Sequence, residues 1–216
     1  MSVVAMLLAD ARLPTGGHAY SAGMEPALTS GMPARDAHGL LVARARTTSL
    51  VEAGAAVVAR HAAVTGGRLD DVEEAWAART PSPALRDASR AQARGYLRLA
   101  RRVWPDAVVF DDLPDRPCRA VVIGAVAAVA GLPATDLVRL AVYDDAATAS
   151  AALLKLEPRD PVDTTRWILD ACAAVEPRTA SIAALTDPAD IPAAGAPQSE
   201  AWAQAHARLT QRLFRA

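Results

Sequence analysis

Alanine fills 52 of the 216 positions, and that proportion does most to decide what the chain can build. Alanine forms helices best because its side chain loses no rotamer freedom. Large anchors are few: two Phe, three Tyr and four Trp. The β-branched clusters are short and scattered, so sheet-forming segments are not expected. The composition therefore predicts an all-α protein of tightly packed helices. The length fits one large domain or two small ones. A chain of this size buries roughly 70% of the surface its unfolded form exposes, so a real core is available.

Breaker residues divide the chain into about ten helices. A first short helix covers Val3 to Ala11 and stops at a Pro-Thr-Gly-Gly turn. Ser21 to Ser30 forms a second, ended by Gly31, and a long helix runs from the Asp36 N-cap to Val64. Further helices are expected over Asp70 to Arg79, Ala84 to Val103, Ala120 to Ala130, Thr135 to Leu156, Asp163 to Val175 and Arg178 to Leu185. Asp187 to Pro197 reads as a Pro/Ala linker, followed by a final helix over Ser199 to Phe214. The expected organisation is an all-α core at 1–186, with the linker and a C-terminal docking helix at 187–216. No internal repeat occurs.

Net charge is -1, too little cationic excess for a nucleic-acid binder. The N-terminus lacks a basic n-region, and the longest apolar run, Ala120 to Leu132, is too short to span a membrane. These features point to a soluble, cytoplasmic protein. Cys118 and Cys172 lie far apart, which disfavours a thiol metal site.

Residues 13–25, LPTGGHAYSAGME, have the look of a catalytic or phosphate-binding loop. The pattern fails each test. Gly16-Gly17 is not part of G-x-x-x-x-G-K-[ST], and the single lysine, Lys155, is remote. Ser21 has no glycine two residues before it, so no nucleophile elbow exists. His18, His38, His61 and His206 show no H-x-x-x-H spacing. Asp144-Asp145 sits oddly in mid-helix, where Asp is a weak former, and reads as a solvated face. Arg86, Arg90, Arg94, Arg98 and Arg102 recur at four-residue intervals, and these like charges repel one another. A solvated face with Asp87 nearby, an acidic partner and an inner polar channel all remain open for them.

The segment Leu7 to Glu25 resembles the N-terminal signature of the urease accessory protein UreF family: an apolar helix, a Leu-Pro-x-Gly-Gly turn, Tyr-Ser, then Gly-hydrophobic-Glu. LRDASRAQARGYLRLA (85–100), RAVVIGAVAAVAGL (119–132), Tyr143 to Leu156 and the terminal QRLFRA are similar to later family segments, in the same order. Glu157 to Pro161 departs from the family's Pro-Leu-Gly-Gln, and Lys155 stands where Arg is common.

The resemblance implies a UreF-like helical bundle, usually dimeric, with no catalytic site and no tightly bound cofactor. It implies a complex with a UreD/UreH-type scaffold and the GTPase UreG, which handle Ni²⁺ and GTP and deliver nickel to apo-urease. It also implies an internal route for the ion. Tyr20, Ser21 and Glu25 are then expected as an exposed contact for UreG. Leu209, Arg212, Leu213, Phe214 and Arg215 are expected to dock on the scaffold, with the Pro/Ala leash favouring docking over folding back. Arg86, Arg90, Arg94, Arg98 and Lys155 would form a polar, basic face. Two other classes compete: a generic helical adaptor, and a hydrolase using His18 and Ser21 that lacks a recognisable orienting acid.

Overall fold

The computed structural model describes residues 2–214, so Arg215 and Ala216 lie outside the described residues. Eleven α-helices and short 3₁₀ turns make up the described chain, with no strand among these residues. The all-α expectation is met.

α4 (Thr48–Thr65) and α7 (Arg119–Val129) cross at the centre, flanked by α8 (Ala134–Leu156). Small residues set this seam. A Cβ on Gly124 would lie 2.6 Å from the Ala59 Cβ and closer still to the Ala56 carbonyl oxygen. Only a glycine therefore lets α7 approach α4 this closely. Leu50, Val58, Val121, Val122, Leu137 and Leu153 fill the core around the seam.

α3 (Ala37–Arg46) and α9 (Pro161–Ala173) pack together beside α8. α5 (Leu69–Ala78) and α6 (Pro83–Val103) close the other side. Ser82 caps α6 and Pro83 occupies its first turn, the asymmetry expected at a helix start. α1 (Val3–Leu8) lies on α8, and α10 (Thr179–Ala183) spans α8 and α4.

Three sequence expectations are corrected. The single helix expected from Asp36 to Val64 breaks at Thr47 (φ -124°, ψ -93°), whose hydroxyl donates to the Ala43 carbonyl. The second helix is shorter than expected, with α2 at Met24–Thr29. The last helix, α11 (Pro197–His206), stops eight residues before Phe214. An unwound tail leaves backbone N–H groups free for another acceptor, which inside a helix would be committed to the carbonyl four residues back.

The segment between α10 and α11 is not a free leash. Arg79 donates to the carbonyls of Ile191 and Ala189 at 2.7 Å each. Ile191 is buried, and Pro192 lies against Gly54 on α4. α11 then packs on α2 and α6. Gly124→Ala is expected to cost about 3 kcal/mol in urea unfolding, through overpacking at the α4/α7 seam. Gly39→Ala, where nothing lies within 4 Å, should gain about 0.5–1 kcal/mol.

Candidate functional site

The turn at 13–17 is held against α6. A Cβ on Gly95 would collide with the Thr15 backbone, so α6 needs glycine there, and Arg98 donates to the Pro14 carbonyl at 3.1 Å. Gly16 (φ 82°) and Gly23 (φ 79°) adopt left-handed backbone that favours glycine. Ala22, also positive at φ 47°, is fully buried between them. The second glycine starts α2 and points its first turn inward.

Glu25, expected as an exposed contact, is buried at 4% exposure. Its carboxylate accepts the backbone N–H of Leu213 at 2.7 Å and of Phe214 at 2.8 Å. Nε2 of His206, a side chain with no exposure, lies 3.0 Å away. Nδ1 of His206 has no partner among the described residues. This geometry assigns the ring proton to Nε2, which donates to Glu25. One carboxylate thus satisfies three donors from the end of the chain. Ser21 is buried as well, with its hydroxyl 3.4 Å from the Glu25 N–H. Tyr20 alone of the three is partly exposed, and burial pushes its hydroxyl up to about 12.

The C-terminal residues split. Phe214 is buried, with the Lys155 ammonium 5.3 Å from its ring centroid, within cation–π reach. Leu209 and Leu213 are exposed, as is Arg212. Phe214 is therefore part of the protein's own core and not a free anchor. Glu25 of the expected UreG side thus meets Leu213 and Phe214 of the expected scaffold side. Sequence spacing could not reveal this, because 181 residues separate Glu25 from His206.

The basic stripe is not one continuous face. Arg86 donates to the carbonyls of Thr80 and Pro81. Arg90 pairs with Glu73 at 3.0 Å and lies over Trp76. Arg94, Arg98 and Arg102 are exposed. Lys155 lies away from them, at the end of α8 beside Phe214.

The Asp144-Asp145 pair is not a solvated face either. Asp145 binds Arg44 at 2.6 and 3.1 Å and accepts from Ser49 at 3.0 Å, while Asp144 pairs with Arg119. Burial pulls the Arg44 guanidinium down, but Asp145 reverses this and leaves it raised. Glu52 lies beside these pairs and accepts the Trp76 indole N–H at 2.6 Å. Burial raises the Glu52 carboxyl above its ordinary value.

These groups line a run of spaces. A groove of 860 Å³ between α1, α8 and α9 is lined by Met6, Leu140, Tyr143 and Cys172. Leu140 is shared with a 20 Å³ cavity bounded by Glu52, Arg119 and Asp144. Glu52 and Arg119 also bound a 60 Å³ chamber with Tyr20, Gln92 and Asp145. Tyr20 and Gln92 in turn line a 230 Å³ cleft at the Thr15-Gly16 turn. Among the described residues no group of three or more His, Cys, Asp or Glu side chains is arranged to hold a metal ion. No helix of the described residues is long and apolar enough to cross a membrane.

The arrangement defines a class: an all-α protein whose buried charges are matched by partners of its own and whose chain end is clasped onto its N-terminal signature. Comparison with known proteins narrows this. Residues 33–172 match the UreF family model. The urease accessory protein UreF of Mycobacterium marinum is 42% identical over 87% of this chain and 91% of its own length. That of Mycobacterium tuberculosis is 42% identical over 86% and 89%, and that of Mycobacterium sp. strain JLS is 40% identical over 97% and 96%. The chain belongs to the UreF family of urease accessory proteins.

Removing the Glu25 acceptor should loosen the tail: Glu25→Ala is expected to speed tryptic cleavage after Arg208 and Arg212 several-fold, read by mass spectrometry. Glu52→Gln keeps an acceptor for Trp76. Well below pH 4.5 the wild-type carboxyl is neutral folded and unfolded, so the two proteins should match. As pH rises, the unfolded chain ionises first and wild-type stability falls. The variant should therefore gain in melting temperature relative to wild type as pH rises through 4.5 and above.

Proposed function

We propose that this protein is a non-catalytic component of the urease maturation complex, bridging a UreD/UreH-type scaffold and the UreG GTPase and coupling GTP hydrolysis to Ni²⁺ delivery into apo-urease. The observation that carries the reading is the run of four spaces sharing lining residues, from the α1/α8 groove to the cleft at Tyr20. Nickel is cargo here, and a carrier must let it go. Carboxylate oxygens already engaged by guanidinium groups, as in Asp144 and Asp145, offer contacts too weak to trap it.

Family membership supports a role in urease maturation. The partner assignments divide by exposure. Tyr20 at the cleft is the contact offered to UreG, with Ser21 and Glu25 behind it as support. Leu209, Arg212 and Leu213 are offered to the scaffold, with Phe214 as their anchor on this chain; Arg215 lies outside the described residues. The α1/α8 groove suits a homodimer. Its floor is largely apolar, with Met6, Leu140 and Tyr143, and its rim charges are paired within the chain, Arg12 with Asp10 and Arg139 with Asp136 and Glu176, so a two-fold partner can cover it without leaving a charge unmatched.

The test is reconstitution of urease from apo-urease, scaffold, UreG, Ni²⁺ and GTP. Wild type is expected to raise activation well above the mixture lacking it. Deleting Arg208 to Ala216 should abolish scaffold copurification, and Tyr20→Ala should weaken UreG retention. Activation that is indifferent to the protein, with neither partner retained, overturns the reading.

A further inference from the structure

The side of α6 that faces the signature turn carries Ala88, Ala91, Gln92 and Gly95. The first three line the 230 Å³ cleft, and Gly95 abuts Thr15. Arg94, Arg98 and Arg102 border this face at four-residue intervals, about 6 Å apart along the axis. Arg98 is tied to the turn through the Pro14 carbonyl. Arg90, Arg101 and Arg116 of this region have carboxylate partners in Glu73, Asp111 and Asp87, and Arg86 is held by the Thr80 and Pro81 carbonyls. Among the described residues no carboxylate pairs with Arg94, Arg98 or Arg102. All three are exposed, on a chain whose net charge is -1. Three uncompensated like charges on one helix oppose its folding slightly, and a counter-charge from outside the chain relieves that repulsion.

We propose that the cleft and this arginine row form a docking surface for an acidic segment of a partner protein. Carboxylates at i, i+4 and i+8 of a helix repeat at the spacing of the row. Guanidinium groups bind carboxylates in a two-point fork, so spacing is read as well as charge. The cleft beside them, walled by Ala88, Ala91 and Ala19, accepts the small apolar side chains between such acids. The surface includes the cleft at Tyr20 offered to UreG above and rests on that reading for the partner's identity, whereas the peptide test below reads the charge pattern alone.

The probe is a helical peptide with Glu at four-residue intervals, compared by calorimetry with a peptide of the same composition and scrambled spacing. The spaced peptide is expected to bind roughly tenfold tighter, with affinity falling as salt rises. Arg94→Glu/Arg102→Glu spares the Pro14 contact. Circular dichroism should show it folded, and its affinity for the acidic peptide should fall about tenfold or more. The same variant should gain affinity for a peptide with Arg in place of Glu. Equal binding of the scrambled peptide, equal binding of a single-stranded oligonucleotide of the same charge, or unchanged binding by the folded variant would overturn the proposal.

Discussion

The structure depends on two adjacent carboxylates in the middle of α8. Asp144 holds Arg119 on α7, and Asp145 holds Arg44 on α3 and Ser49 on α4. Four helices are therefore registered at one level of the bundle. An alanine-rich core has little side-chain volume with which to specify a unique packing. Directional ion pairs supply that specification here, although a buried pair stabilises little in net terms. Losing one partner is another matter, since it leaves a buried charge uncompensated, at about 3–5 kcal/mol.

The Glu25 clasp works on the same principle at the edge of the fold. A carboxylate in low dielectric needs donors, and the tail supplies two backbone N–H groups and one imidazole. This explains why α11 ends at His206. Continuing the helix would consume the N–H groups of Leu213 and Phe214. The proposed contacts for two different partners thus lie around one buried acceptor.

Much of the fold was legible because it follows from local chemistry. Pro83 with Ser82, Gly66, Gly131 and Pro161 mark helix limits that any context would respect. The misses share a cause. Thr47 breaks a helix so that Arg44 and Ser49 can both reach Asp145, a contact about a hundred residues away. Asp144-Asp145 looked solvated because nothing nearby in sequence pairs with it. Glu25 looked exposed because its donors lie at the far end of the chain. The arginine row was legible as a pattern, but only the folded chain separates Arg86 and Arg90, already satisfied, from the exposed three. Polar residues that break a local rule here are those with distant partners.

Alanine content and proposed function are linked through volume. The narrowest space in the run is bounded by Ala56, Ala120 and Ala141 together with Glu52, Arg119 and Asp144. Methyl groups let the helix backbones approach and still leave a gap of about one water between polar side chains. Leucine at any of these positions would fill that gap and join the two halves of the core into a dry seam. The space persists because three helices present their smallest side chains to it while charged groups prevent its collapse. Arg119 is held there by Asp144 and Glu52 by the Trp76 indole N–H, so the side chains that bound the gap are themselves fixed. In an interior packed as densely as a crystal, a gap of this size survives only because those polar groups cannot be drawn together without losing their partners.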